Sequence, residues 1–178
     1  MSVRSRSLLI FGLASFFSTN LYANNFSYNS IDFRVGGSPT TVGGEFTTQF
    51  TENAHFAGKV DSEFEGDWDI AAGVGFNGPM GQFMDIHGQM FLHNVKTSSG
   101  DLVGENFMIE FNMGPRIWLY DNIELHGKVG QLVEDDDTHA VFEIGGRFHS
   151  TQQLVLGASI RSNGIYGTQF LMTTRFQY

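Results

Sequence analysis

The stretch YGTQFLMTTRFQY, residues Tyr166 to Tyr178, alternates between two kinds of side chain. Counted back from the end in steps of two, the first set is apolar apart from one threonine: Tyr178, Phe176, Thr174, Met172 and Phe170. The intervening set is mostly polar: Gln177, Arg175, Thr173, Leu171 and Gln169. A period of two residues is typical of a β-strand, in which successive side chains point to opposite faces. The stretch therefore predicts a strand with one apolar face that must be covered.

The first 23 residues have the composition of a secretory signal peptide. Arg4 and Arg6 form a basic start, an apolar run follows from Leu8 to Phe17, and the small residue Ala23 ends the segment. The run is too short to span a bilayer as a helix. We therefore predict a signal peptide at residues 1–23, export of the chain, and a single domain at residues 24–178.

Composition limits the classes of function. Without Arg4 and Arg6, eight Lys and Arg stand against 19 Asp and Glu, a formal net charge of −11, which makes nucleic acid an improbable partner. The chain has no cysteine, so neither a disulfide nor a cysteine-based metal or nucleophile site is available. No later stretch reaches the roughly 18 apolar residues of a transmembrane helix. A membrane-bound form would therefore have to be a closed β-barrel, because only helices and barrels satisfy the backbone in lipid.

Turn residues divide the domain into ten alternating segments. The predicted strands are 26–35, 43–50, 54–64, 68–77, 83–95, 103–118, 123–133, 139–149, 153–161 and 166–178. Strands of this length joined by short connections are typical of membrane barrels. We predict an all-β, antiparallel, up-and-down transmembrane barrel of ten strands, with eight strands as the alternative.

The charges test this alternation. The face opposite the apolar residues contains all six histidines and nine carboxylates: Asp32, Glu45, Asp61, Glu63, Asp69, Asp85, Glu110, Glu124 and Glu143. It also contains every Lys and Arg of the domain except Lys96. In a soluble barrel, ten faces of large apolar side chains would have to share a small interior. In a membrane barrel they face lipid and the charges face a polar interior, which the pattern favours.

With these features the chain resembles the small outer-membrane β-barrel proteins of Gram-negative bacteria, including porin-like and OmpA-type barrels. The most specific element is the last strand, which matches the family's assembly signal at Phe170, Met172, Phe176 and Tyr178. The resemblance implies that barrel-assembly machinery and periplasmic chaperones recognise this strand, and that it pairs with the first strand. It also implies a monomer in the cell outer membrane, surrounded by lipid and lipopolysaccharide.

Two further groups of residues have expected positions. An aromatic belt at the membrane interfaces is predicted at Trp68, Trp118, Tyr120 and Phe148. A charge network is predicted to fill the barrel interior at Arg34, Glu110, Arg116, Lys128, Glu143, Arg147, Arg161 and Arg175, with Phe83, Phe91 and Leu171 narrowing it further. Glu143 and Arg161 lie on adjacent strands and are expected to pair. A barrel of about ten strands is narrow, so little ion conduction is expected.

Four motifs favour simple interpretations. The acidic run EDDDTH, residues 134–139, is predicted to be a solvated turn rather than a Ca²⁺ or Mg²⁺ site, because it lacks calcium-loop spacing. His149 and Ser150 are neighbours in a strand and point to opposite faces, which disfavours a base and nucleophile pair. The histidines lack metal-ligand spacing. The glycine-rich segment 36–45 lacks a phosphate-loop pattern and is predicted to be a flexible hairpin connection.

The sequence therefore predicts a non-enzymatic outer-membrane barrel with a structural or surface-interaction role and no cofactor or metal. Three alternatives remain open: a narrow porin or small-molecule-binding barrel, a lipid-modifying enzyme, and a soluble exported barrel with an apolar ligand.

Overall fold

A computed structural model describes residues 26–96, 106–134 and 137–178. The predicted signal peptide at residues 1–23 lies outside the described residues, as do residues 97–105 and 135–136. The ten strands are β1 (Ser30–Gly37), β2 (Thr41–Thr51), β3 (Ala54–Ser62), β4 (Trp68–Pro79), β5 (Met84–Lys96), β6 (Asn106–Tyr120), β7 (Ile123–Glu134), β8 (Asp137–His149), β9 (Leu154–Gly164) and β10 (Gly167–Gln177).

The strands form a closed antiparallel barrel in which each strand pairs with its sequence neighbours and β10 pairs with β1. The prediction of ten strands is confirmed, and the alternative of eight is wrong. At the closing seam Arg175 lies opposite Asp32, and its guanidinium donates two hydrogen bonds of 2.7 and 2.6 Å to that carboxylate. Closure leaves no strand edge unpaired.

Outward and inward faces alternate as the charge pattern predicts. In β1, Phe33 and Val35 are exposed on the outer surface, whereas Asp32 and Arg34, which alternate with them, are buried inside. The same alternation continues around the barrel, so large apolar side chains cover the outside. A shift of one residue in register would move every charge to the apolar face, which strongly fixes the register. Among the described residues there is no helix long and apolar enough to cross a membrane.

Several predicted strand ends differ from the observed ones, and two of the differences affect the interior. β1 begins at Ser30, and the four residues before it lie at the barrel mouth instead of in the sheet. The predicted flexible connection at 36–45 is mostly strand, and only residues 38–40 form the turn. Its glycines have a packing reason, because a Cβ at Gly43 would overlap the inward Asp61 carboxylate. Here glycine leaves space for an interior charge.

Candidate functional site inside the barrel

The barrel interior has two halves with different contacts. The lower half lies toward the mouth formed by Ser30, Gln177 and the turns at 121–122 and 150–153. The upper half lies toward the mouth formed by the turns at 38–40, 63–67 and 165–166. Side chains from every strand reach this interior because alternate residues point inward. It is the part of the molecule in which polar chemistry is concentrated.

The lower half is organised around one carboxylate, that of Glu124, which is 0% exposed. The Nε and Nη2 atoms of Arg116 donate hydrogen bonds of 2.8 and 2.9 Å to its two oxygens. Arg147 Nη1 donates a third bond of 2.6 Å, and His149 Nε2 lies 3.1 Å from Oε2. One negative charge therefore serves two arginines and a histidine.

The segment before β1 closes the lower mouth. Phe26 and Tyr28 are buried, and the Tyr28 hydroxyl donates a 2.7 Å hydrogen bond to Asp85. Arg116 Nη1 donates to the carbonyl of Ser27 at 3.0 Å. The Arg116 guanidinium carbon lies 4.8 Å from the Phe26 ring centre and 4.9 Å from that of Tyr28, which is cation–π geometry. The buried arginine thus holds both rings in the mouth.

Trp118 does not occupy the lipid-facing position expected of a belt residue. Its ring stacks on Phe26 with centroids 5.4 Å apart and lies 4.4 Å from the ring of His149. The reason is parity, because Trp118 is two residues after the inward Arg116. The other three predicted belt residues lie near the two mouths. Tyr120 and Phe148 are exposed near the lower mouth, and Trp68 lies near the upper mouth under the Lys96 ammonium.

In the upper half the ion pairs are spread over several carboxylates instead of meeting at one. Arg34 donates to Glu45 at 2.6 Å and to Asp61 at 2.8 Å. Lys59 Nζ lies 2.9 Å from Glu110 Oε2, a contact between β3 and β6 that crosses the interior. Carboxylates outnumber cations here.

Two further interactions complete the upper half. Arg161 Nε and Nη2 donate to Glu143 Oε2 at 3.1 and 2.9 Å, and Glu143 also accepts a bond from Ser159. The ring of His93 bridges two acids, with Nδ1 2.7 Å from Asp69 and Nε2 3.1 Å from Glu110. A histidine here bridges two carboxylates that would otherwise repel each other.

The turn between β9 and β10 folds over the upper mouth. Ile165 packs against the buried apolar cluster of Val95, Met108 and Leu132. The Tyr166 hydroxyl reaches across the mouth and donates to Asp67 Oδ2 at 2.8 Å, with the Asp61 carbonyl 3.0 Å away. The described chain therefore contributes a short cap at each end of the barrel.

Asp67 organises the turn that receives Tyr166. Its carboxylate accepts backbone hydrogen bonds from Glu63 at 2.9 Å and Glu65 at 3.1 Å. Burial raises the pKa of Asp67, but these bonds and the one from Tyr166 outweigh burial and hold that pKa below its ordinary value. Burial and the neighbouring Asp67 carboxylate raise the pKa of the Tyr166 hydroxyl. The predicted strand 54–64 is shortened accordingly, because Phe64 has a φ of 63° and belongs to the turn.

The centre of the interior is filled by apolar side chains as well as charges. Phe91 and Leu171 are buried there, and the Lys59 ammonium lies 4.6 Å from the centre of the Phe91 ring. A Cβ at Gly73 would collide with Phe91, so the glycine makes room for the ring. The expectation for Phe83 is wrong. It precedes β5 and is 65% exposed in the turn after β4.

Little free space remains inside the described barrel. One cavity of about 20 Å³ lies in the upper half near Tyr166, and two of about 30 Å³ each lie lower down beside Lys128. Each has room for only one or two water molecules, because a cavity needs about 10 to 15 Å³ to hold a water. A wider vestibule of about 370 Å³ opens at the lower mouth beside Trp118 and His149.

All eight residues of the expected charge network point into the interior, but their contacts differ. Within the described residues, seven take part in an ion pair of the two halves or the closing seam: Arg34, Glu110, Arg116, Glu143, Arg147, Arg161 and Arg175. Lys128 donates a 3.1 Å bond to Gln89 and has no carboxylate within 4.0 Å among them. Of the assembly residues, Phe170, Met172 and Phe176 face outward and Tyr178 stacks beside Phe46.

The remaining motifs show no catalytic or metal geometry in the described chain. His149 contacts Glu124, while Ser150 is exposed in the following turn. In residues 26–96, 106–134 and 137–178, no three His, Asp or Glu side chains are arranged to hold a metal ion. His139 is exposed, contrary to the inward position expected for every histidine. The acidic run 134–139 lies partly outside the described residues.

Sequence reasoning missed both caps. A signal was present for the lower one, because Phe26 and Tyr28 share the parity of Asp32 and Arg34 and are therefore aromatic residues on the charged face. For the upper cap, Ile165 and Tyr166 lie in a turn, where alternation carries no information.

Comparisons with known proteins agree with this architecture. No protein-family model and no curated protein matches the sequence. Among solved structures, the KdgM porin in complex with disordered oligogalacturonate has a TM-score of 0.58 and 8% identity, covering 84% of this chain and 99% of that chain. The NanC porin has a TM-score of 0.52 and 7% identity, covering 83% and 98%. At such low identity the likeness shows the fold alone, which is that of porin-like barrels.

Proposed function

We propose that the protein is an integral outer-membrane barrel, closed to ions in its resting state, with a structural or surface role rather than a transport or catalytic one. Its apolar exterior suits lipid, where a cation at mid-depth would cost roughly 2 to 4 kcal/mol. KdgM and NanC, two solved structures with a similar fold, are porins. In the expected orientation the lower mouth faces the periplasm, and lipopolysaccharide surrounds the upper mouth.

The observation that carries the proposal is the size of the interior cavities. None of the three found inside the described barrel exceeds about 30 Å³. Most of the charged side chains in the remaining space are held in ion pairs, and a passing ion would have to separate buried charges at a cost of several kcal/mol. The two caps add a further barrier at each mouth.

The test is conductance of the purified, folded protein in planar lipid bilayers. We expect no steady current, and we expect the same preparation to shift on a gel after boiling, which shows that it was folded. Large, regular single-channel steps from folded protein would overturn the closed barrel. Recovery of the protein from the periplasm without detergent would overturn the membrane location.

A narrow porin or small-molecule-binding barrel is the second candidate. The vestibule of about 370 Å³ favours it, because this space leads from solvent to Arg116 and His149. Conduction would require the segment at Phe26 and Tyr28 to leave the mouth. A variant lacking residues 24–28 that remains closed in bilayers would count against this candidate.

For assembly, we propose that the barrel-assembly machinery recognises β10 through its outward aromatic residues. Phe170, Phe176 and Tyr178 present their rings on the outer surface. Deletion of residues 176–178 should leave export intact and prevent insertion, which fractionation of the membranes measures. Normal outer-membrane levels of the truncated chain would contradict this role.

A further inference from the structure

Two neighbouring cavities of about 30 Å³ each lie inside the barrel, the first in the lower half and the second between the lower and upper halves. Both are lined by Lys128, Arg147, Arg175 and Glu45. Lys128 is distinctive because its ammonium contacts Gln89 but no carboxylate within 4.0 Å among the described residues. The cavities therefore lie where the interior has its least compensated cation.

The charged side chains that line the first cavity are mostly positive. They are four cations, Arg116, Lys128, Arg147 and Arg175, and a single carboxylate, Glu45. Three further carboxylates lie outside the lining: Asp32 binds Arg175, Glu124 is shared by Arg116 and Arg147, and Asp85 lies opposite Arg116 in the strand register. The charges therefore match in number, but Lys128 is the cation of this set that has no carboxylate within 4.0 Å among the described residues, and Glu45 is already bound by Arg34.

Two buried polar atoms beside the cavities have no hydrogen-bond partner in the described structure. One is the Nε–H group of Arg34, which lines the second cavity and lacks an acceptor. The other is Nδ1 of His87, which lines the first cavity and is 4% exposed; this atom donates or accepts according to the tautomer of the ring. A buried donor without an acceptor is costly, and so is a buried charge without a counter-charge. A small anion would give Arg34 an acceptor and Lys128 an ion-pair partner.

We propose that these cavities bind a monovalent anion of about the size of chloride, held by Lys128, Arg147 and Arg175 with His87 nearby. Each cavity of about 30 Å³ has room for about one small ion, since about 10 to 15 Å³ is enough for a water molecule. Larger polyatomic anions are excluded by volume. The ion is a structural counter-ion of the closed barrel and is independent of whether the barrel ever conducts.

Bromide provides the direct test, because it replaces chloride and is located by anomalous scattering. Crystals of the folded protein grown in sodium bromide should show an interior bromide peak beside Lys128. A peak found only on the protein surface, or no peak, would overturn the proposal and leave water in the cavities.

A solution measurement gives an independent answer. Unfolding in urea is followed while chloride replaces gluconate at constant ionic strength, so that general screening stays the same. Because a ligand of the folded state stabilises it by mass action, chloride should raise the midpoint above that in gluconate. Lys128→Gln should weaken the apparent affinity for chloride at least tenfold. The matched control is Lys96→Gln, which removes a cation beside Trp68 and should keep the full chloride response.

An unchanged chloride response in folded Lys128→Gln would overturn the assigned site. If that variant does not fold, the bromide peak and the chloride response of the unmutated protein still decide the question.

Discussion

The lower and upper halves of the interior use different strategies to keep charges buried. In the lower half Arg116, Arg147 and His149 share the single carboxylate of Glu124. In the upper half the ion pairs are spread over several carboxylates, and Arg34 and His93 each contact two acids. Both halves lie in one narrow barrel and alternate with the same apolar exterior, so the difference comes from the choice and spacing of charges.

This comparison shows where the barrel is vulnerable. Removing the Glu124 carboxylate from the lower half leaves the buried guanidinium groups of Arg116 and Arg147 without their shared counter-charge. In the upper half, removing Asp61 leaves Arg34 bound to Glu45, and removing Asp69 leaves His93 bound to Glu110. We therefore expect Glu124 to matter more for stability than these two upper-half acids.

The largest effect is expected for Glu124→Gln. The substitution keeps shape and removes charge, so Arg116 and Arg147 lose their carboxylate and the folded state loses about 3 to 5 kcal/mol. The upper-half control is Asp61→Asn, which leaves Arg34 bound to Glu45 and for which we expect about 1 to 3 kcal/mol. Urea unfolding in lipid vesicles measures both, with Trp118 reporting the lower end and Trp68 the upper. Equal costs would show that the two halves do not differ.

The alternation that predicts the fold also predicts which charges lie inside, because a transmembrane strand has only two faces. Alternation and strand order also predict one ion pair, that of Glu143 with Arg161. These residues lie opposite each other on β8 and β9, and an ion pair links them. The other contacts depend on strand register and barrel radius. Lys59 meets Glu110 from a strand three places away, which alternation within a strand does not specify.

The caps were less predictable for a different physical reason. Parity places Phe26 and Tyr28 on the charged face, but it does not show that the chain bends into the mouth before the sheet begins. What holds them there is Arg116, on a distant strand. Trp118 was expected at a lipid interface because tryptophan is common there, yet its parity with Arg116 places it inside. Where parity and residue type disagree, parity is the better guide.

The second effect concerns the pair in the upper half, Glu143 and Arg161. Either Glu143→Gln or Arg161→Met leaves a buried charge without its main partner and should cost about 2 to 4 kcal/mol. The double variant should cost less than either single change, because no uncompensated charge remains. The matched double variant of Glu124 and Arg116 should not be rescued, since Arg147 still lacks a carboxylate. Urea midpoints of the unmutated protein, the four single variants and the two double variants test this. Additive costs at 143 and 161 would contradict it.

The third effect compares the two caps through their tyrosines. Tyr28→Phe removes the donor to Asp85, which is fully buried and has a second oxygen without a partner, so we expect a loss of about 1 to 3 kcal/mol. Tyr166→Phe removes a bond to the half-buried Asp67, where water can replace the hydroxyl, and should cost less than about 1 kcal/mol. Tyr120→Phe, on the exposed outer surface, is the control. A costlier change at Tyr166 would reverse the ranking of the caps.

The smallest effect is a pH dependence at the upper cap. The folded-state pKa of Asp67 lies below its ordinary value of 3.8, so the ionised carboxylate stabilises the fold above that pH, and this contribution is lost as the pH falls below it. Because Asp67 is only partly buried, we expect no more than about 1 kcal/mol. Unfolding midpoints between pH 2 and about 6 should therefore show the unmutated protein and Asp67→Asn converging as the pH falls. Tyr166→Phe removes one bond to the carboxylate and should give an intermediate slope. A constant difference between the unmutated protein and Asp67→Asn across this range would mean that Asp67 acts through its shape, and that the upper cap does not depend on its charge.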